Sequence, residues 1–386
     1  MSERIVLQGF KPFIGKHCET SALKRVLEYH GLSFSEEMLL GLGGGIGFIY
    51  WYMKQMPSPF IGCRNGKAPD FLTTVCRRIG AEAATLETSS AKKGYEELKG
   101  LLKSGEPAIV YGDMAYLPYF AFPEVAHFGG HTFVVFAVDE ERDTVHIYDR
   151  ARNPVTVSLS DLAKARGSHF PPFPPHHRLL KIKYPAARGN LEESIKESIR
   201  ECCHAMLHPL ISNIGLAGIE KWARMVMKWP AQFQGMDFLG ALMNGFIYIE
   251  IGGTGGSAFR PMYARFLEEV SIIIHKQALK EVAVLFLESA KVWSAIAAGL
   301  LPDTWPNLKM IRKLMFEKNR LFEEELPESV GEMIKINAQL DRLMVKAGED
   351  LRKAPTFLVD VQKSIIRCYE IEKEAFIKLH TIITSS

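Results

Sequence analysis

Up to about residue 184, apolar residues gather in short β-rich runs bounded by turn residues, with helical patterns between them. Strands are predicted at 108–112 (AIVYG), 132–138 (TFVVFAV), 145–148 (VHIY), 155–157 and 179–182. The charged connection 139–143 (DEERD) makes the second and third of these a β-hairpin. Helices are predicted at 19–30, closed by Gly31; at 35–42, opened by Ser35; at 70–79, closed by Gly80; and at 95–102. Helices that precede a run of strands argue for an α+β domain rather than alternating βαβ units.

From Leu191 onward the strand signal fades and apolar residues recur at spacings of three and four. One stripe runs through Met262, Phe266, Val270, Ile273, Ile274, Val282, Leu285 and Phe286. Another runs through Ile334, Ile336, Leu340, Leu343 and Met344. Pro355 ends it, and Phe357, Val361, Ile365, Tyr369, Phe376 and Leu379 carry a last helix. The stretches FPPFPP (170–175) and PAARGN (185–190) flank the last strand, and the second reads as a domain boundary. The expected organisation is an α+β domain over 1–185 and an all-α domain over 190–386, with no internal repeat of fixed period.

Composition narrows the class. With 386 residues, 47% hydrophobic and 24% charged, the chain has enough apolar surface for a packed core, which excludes wholesale disorder. A balance of 47 Lys+Arg against 44 Asp+Glu offers no single-signed field for nucleic acid or an anionic membrane. The N-terminus lacks a secretory signal, and the longest apolar runs (41–53 and 292–301) are shorter than the roughly 20 residues of a spanning helix. Six cysteines without a CxxC pair form a poor disulfide framework. A cytoplasmic protein is expected.

Three residues form a candidate catalytic set. Cys18, in GKHCETSALKRVLEYHG, stands where a loop gives way to a helix, and unpaired N–H groups and the helix dipole there favour thiolate. His131 opens a strand after two glycines, and Asp149 ends the next strand of the same hairpin, so the two are expected to be neighbours. Nucleophile, base and orienting carboxylate is the logic of covalent catalysis. Taken singly, each has a duller reading as a buried thiol, a structural histidine or a turn former. Their order along the chain favours the catalytic one.

These segments also carry a resemblance. HCETSALKRVLEYHG, SEEMLLGLGGGIGFIYW, GGHTFVVFAVDE and IYDR resemble the N-terminal domain of the butirosin biosynthesis protein H family over about residues 13–185. IEIGGTGGSAFRPMYARFLEEV (249–270) resembles the helical domain that accompanies it. The resemblance implies a papain-like cysteine fold and acyl transfer without a cofactor. The acyl group would pass from the phosphopantetheine thioester of an acyl carrier protein, through the cysteine, to a small-molecule amine. A peptidase or amidase using the same triad, and a non-catalytic carrier-binding module, are the alternatives. Related leader peptidases carry Gln six residues before the cysteine; here that position is Pro12, which leaves Gln8 or the side chain of His17 as second oxyanion donor beside the Cys18 N–H.

Outside this set, Thr254, Gly255, Gly256, Ser257 and Arg260 form a glycine-rich loop feeding a helix, suited either to holding a phosphate or to a plain N-cap. The glycines of 41–47 are expected to let backbone pack near the catalytic helix. Cys202, Cys203, His204 and His208 lack a second ligand pair, so no metal is expected. His169, His176 and His177 read as a solvated connection. Met225, Met227, Met236 and Met243, with Trp222 and Trp229, read as helix core rather than an acyl tunnel. The apolar stripes suit a core or a homodimer interface.

Overall fold

A computed structural model describes residues 3–54, 56–66, 70–123, 126–184, 189–351 and 356–385. In chain order the elements are β1 (Arg4–Val6), α1 (Cys18–Tyr29), α2 (Glu36–Leu42), β2 (Ile46–Trp51), β3 (Phe60–Arg64), α3 (Asp70–Arg78), β4 (Glu82–Leu86), α4 (Ala91–Lys103), β5 (Ala108–Gly112), β6 (His131–Asp139), β7 (Thr144–Tyr148), β8 (Val155–Val157), α5 (Leu159–Gly167) and β9 (Leu179–Lys183). Helices follow: α6 (Leu191–Leu207), α7 (Gly215–Val226), α8 (Trp229–Gln232), α9 (Met236–Phe246), α10 (Arg260–Ile273), α11 (Leu279–Leu300), α12 (Pro306–Glu325), α13 (Val330–Asp350) and α14 (Leu358–Thr384). The fold is α+β followed by a mostly helical part.

The chain forms two compact units, and they do not follow a single cut. The first comprises Met1–Leu39, Ala68–Gly189 and Lys318–Asn337; the second comprises Leu40–Lys67, Asn190–Glu317 and Ala338–Ser386. A boundary does fall between Gly189 and Asn190, although 185–188 lie outside the described residues. Two excursions cross it: β2 and β3 belong with the helices, and the turn joining α12 to α13 belongs with the sheet. Neither is visible from local composition, because both depend on packing against segments far away in sequence.

In the first unit an antiparallel sheet has the order β4-β9-β5-β6-β7-β8, with β1 added along the far end of β6. The apolar run of β6 does not alternate because nearly every residue in it is buried. α1 packs on β5 and β6 through Leu23, Val26 and Leu27, which are 0–1% exposed. The register of β6 with β7 shifts between Val135 and Ala137, a bulge within the expected hairpin.

In the second unit, α11 and α14 pack together and α10 lies against α11. The long stripe over 262–290 is two helices, broken between Ile273 and Leu279 where His275 adopts φ 54°. The apolar spacing continues across the break without a proline or glycine to mark it. Gly41 and Gly45, expected to make room for the helix that carries Cys18, have α10 against them. A side chain at Gly41 would meet Phe266 at 2.3 Å, and one at Gly45 would meet Tyr263 at 2.6 Å, so these glycines admit α10 instead. α11 is long and apolar enough to cross a membrane by length and composition, yet half of it is buried in the unit, including Val282, Phe286, Trp293 and Ile296. The break expected at Pro355 lies outside the described residues.

Candidate active site

Cys18 is the first residue of α1. His17 caps the helix: its backbone is extended and its Nδ1 accepts the Thr20 N–H at 3.4 Å. Such a cap leaves the Cys18 N–H, the first of the helix, without an intrahelical acceptor. The loop before it is held from α2: buried Glu36 accepts the N–H groups of Lys16 (3.0 Å) and His17 (3.2 Å) and the Thr20 hydroxyl (2.8 Å). All free cysteines other than Cys18 are buried, and Cys18 alone is partly exposed.

The sheet brings the other two residues to the same end. His131 begins β6 and Asp149 follows β7; His131 Nε2 lies 2.6 Å from Asp149 Oδ2. With Nε2 committed to the carboxylate, Nδ1 is the nitrogen left to face Cys18, whose thiol lies close enough to His131 to be made more acidic by it. The Asp149 carboxylate is fully partnered: Oδ2 also accepts from Tyr119 Oη at 2.8 Å, and Oδ1 accepts the Arg150 N–H at 2.6 Å. Tyr119 escaped the sequence reading. It sits in a short helical turn (Pro118–Phe120) within a loop, and only the Tyr-Phe pair after a proline hinted at a packed element there.

Electrostatics follow from this wiring. Burial pushes the Cys18 thiol up, but the hydrogen bond and charge of His131, with the Thr132 N–H, outweigh it and hold the thiol below its ordinary 9.0; Glu19 opposes them. Burial alone would lower the His131 imidazole, yet Asp149 and Cys18 raise it to about 9. Burial would raise Asp149, and His131 and Arg150 reverse this and hold its carboxyl below the usual range. The three shifts point the same way: each makes the charged form of its group, thiolate, imidazolium or carboxylate, easier to reach.

The two side chains expected as second oxyanion donors lie elsewhere or are occupied. Gln8 is exposed, in the loop after β1. β1 pairs with the 137–139 end of β6, and Leu7 N–H donates to Phe136 O, so position 8 stands beside about Val135. At about 3.3 Å per residue, that is roughly 13 Å along the strand from His131. His17 is 6% exposed; its Nδ1 serves the helix cap, its Nε2 lies 3.8 Å from Glu19 Oε2, and its ring stands edge-on to Phe71.

The glycine-rich loop is self-satisfied. The Thr254 hydroxyl donates to Ile249 O at 2.8 Å and accepts from the Gly256 N–H at 3.2 Å; Gly255 links them at φ 65°. The Ser257 N–H donates to Glu250 Oε2, so a carboxylate of the same chain takes the place of an outside anion. Arg260 is 0% exposed and forms a two-point ion pair with Glu372, at 2.7 and 2.9 Å, over the face of Trp293. This guanidinium is not available to a phosphate. The phosphate reading fails because the groups it needs are bonded internally.

Among the described residues, no group of three or more His, Cys, Asp or Glu is placed to hold a metal ion. Cys202 and Cys203 are buried core thiols, and burial pushes the first up to about 12. His177 is not solvated: it is 6% exposed, and Arg166 donates to its carbonyl at 2.8 Å. Trp222 and Trp229 are core residues at 0% exposure, whereas Met227 and Met236 face outward, so these residues line no tunnel.

Comparison with known families agrees with the order of the two halves. A family model described as butirosin biosynthesis protein H, N-terminal, matches residues 17–150, and a domain of unknown function, DUF4872, matches residues 160–304. A search of curated proteins finds no match. The first match begins one residue before Cys18 and ends one residue after Asp149, so it encloses the whole cluster. With both domains present in sequence, the chain belongs to the butirosin biosynthesis protein H family.

Proposed function

We propose that this protein is a cysteine-dependent acyltransferase of natural-product biosynthesis, which moves an acyl group from an acyl carrier protein thioester to a small-molecule amine. The observation that carries the reading is the His131–Asp149 pair acting on Cys18, the one free cysteine that is partly exposed.

Each step uses these residues. The Cys18 thiolate bonds to the thioester carbonyl carbon, the carbon–sulfur bond to the phosphopantetheine arm breaks, and the His131 imidazolium protonates the departing thiolate. One thioester replaces another, so little bond energy changes. The Cys18 N–H, at the positive end of α1, is the natural donor to the tetrahedral oxyanion. The amine nitrogen then bonds to the acyl carbon, neutral His131 takes its proton, and Cys18 leaves as thiolate, restoring the starting pair. Asp149, fixed by Tyr119 and the Arg150 N–H, keeps the imidazole in the tautomer both steps require.

The test is product partition. Incubation with an acyl carrier thioester and increasing amine should divert the acyl group from free acid to amide. Free acid at every amine concentration would identify a hydrolase instead. No turnover, with a thiol inert to iodoacetamide, would leave a carrier-binding module.

A further inference from the structure

The turn between α12 and α13 lies almost 200 residues beyond the catalytic hairpin in sequence, yet it packs inside the catalytic unit. Its contacts there fall on two loops. On the first, Phe322 stacks on Phe120 with ring centroids 4.9 Å apart and planes 14° from parallel, and it also lies against Tyr119 at 6.4 Å. Lys318 Nζ and Asn337 Nδ2 both donate to Ala121 O. On the second, the Arg152 N–H donates to Glu323 O at 2.9 Å, Asn153 Nδ2 donates to Leu326 O, and the Arg150 guanidinium pairs with Glu323 at 3.0 Å while lying over Phe322.

Those two loops hold the catalytic carboxylate. Residues 119–121 contain the Tyr119 hydroxyl that donates to Asp149 Oδ2, and Arg150 supplies the N–H to Oδ1. The ring of Phe120, pressed by Phe322, stands edge-on to His131 at 5.1 Å. Phe322 is 4% exposed and shares its ring face between Phe120 and the Arg150 guanidinium, so one side chain braces both loops. Ordering each backbone residue of these loops costs about 1–2 kcal/mol of conformational entropy, a cost that packing against the turn helps to offset.

We propose that Phe322 and Glu323 are positioning residues for the catalytic cluster: the α12–α13 turn is a strut that holds Tyr119, Asp149 and His131 in their working geometry. This rests on the triad reading of the site, though not on the identity of the acyl donor or acceptor. The titratable groups that act on the cluster of Cys18, His131 and Asp149 are Glu19 and Arg25 from α1, Tyr111 from β5, Tyr119 from its turn, and Arg150 after β7. The strut carries none of these groups itself and acts through Phe120, Tyr119 and Arg150.

The experiment measures iodoacetamide alkylation of Cys18 from pH 4 to 11, by intact mass, in the full-length protein, with Phe322→Ala, Phe322→Tyr and Glu323→Gln beside wild type and a thermal melt for each. Loosening a catalytic constellation costs large factors in rate. Phe322→Ala should therefore slow alkylation at pH 7 by about tenfold and move its alkaline inflection to lower pH, while Phe322→Tyr, which keeps the stacked ring, restores both. Glu323→Gln should shift the profile in the same direction by a smaller amount. A folded Phe322→Ala with the wild-type profile overturns the strut. If Phe322→Ala does not fold, Glu323→Gln decides: a folded Glu323→Gln whose profile superimposes on wild type overturns the strut. A wild type with no reactive thiolate near neutrality instead refutes the triad, and one that alkylates rapidly without transferring acyl groups refutes only the transferase.

Discussion

Replacing Asp149 by Asn removes one buried charge and keeps nearly the same shape. In the wild type that charge, with the hydrogen bond it accepts at 2.6 Å, raises His131 to about 9 against a burial cost that would otherwise take it below the ordinary 6.5. The fall from about 9 to 6.5 is about 2.5 pH units. At roughly 1.4 kcal/mol per unit, the imidazolium is therefore disfavoured by about 3 kcal/mol in the variant. The thiol, deprived of its cation, moves back up toward its ordinary 9.0, because burial continues to oppose ionisation. At pH 7 a thiol of ordinary acidity is about 1% thiolate, so alkylation by iodoacetamide should slow, by up to about a hundredfold. The assay is the pseudo-first-order loss of unmodified mass against pH, with circular dichroism to show that the variant folds. A folded Asp149→Asn that alkylates within about threefold of wild type, with its alkaline inflection still near 9, would refute the reasoning.

Further outcomes follow from the same contacts. Tyr119→Phe deletes one donor to Asp149 and should cost about 1–2 kcal/mol at the site, seen as about a tenfold loss of acyl-transfer rate with a melting temperature close to wild type; an unchanged rate argues against the role of the hydroxyl. The acyl-transfer rate of the wild type should decline as pH rises through about 9, where His131 loses the proton that the leaving thiol needs, and on the acid side as Cys18 takes up a proton below its ordinary 9.0. Glu372→Gln leaves the Arg260 guanidinium buried and unpaired, and should destabilise the protein by about 3–5 kcal/mol in urea unfolding. Arg260 and its neighbours hold the Glu372 carboxyl below its ordinary 4.5 against burial, so its stabilisation is present above 4.5 and lost as pH falls through the depressed value. The gap between wild type and variant should narrow in acid, and a constant gap would contradict the ion-pair reading.

The parts legible in the sequence are those set by local pattern. The run TFVVFAV, the charged turn after it and the Asp that closes IYDR place His131 and Asp149 at one end of a hairpin without any long-range information. The start of α1 at Cys18 is legible for the same reason. β1 (RIV) was missed because it has three residues, and β4 (EAATL) because its exposed Glu and small alanines give little apolar signal. β2 and β3 are absent from the predicted strands because Gly47 and Gly62 dilute their pattern. For Arg260 the sequence leaves a phosphate-binding reading open beside the plain N-cap loop, since nothing local reveals a Glu372 more than a hundred residues away. Tyr119 and the strut were invisible for the same reason: their meaning lies in distant partners, and periodicity reports only on neighbours.

Intact-mass analysis with peptide mapping, after mixing the protein with an acyl carrier thioester in the absence of amine, tests the central claim most directly. The predicted result is one acyl group per chain, located on the peptide containing Cys18 and missing from Cys18→Ala. Acyl label on any other residue, or an adduct of undiminished yield on Cys18→Ala, would contradict it.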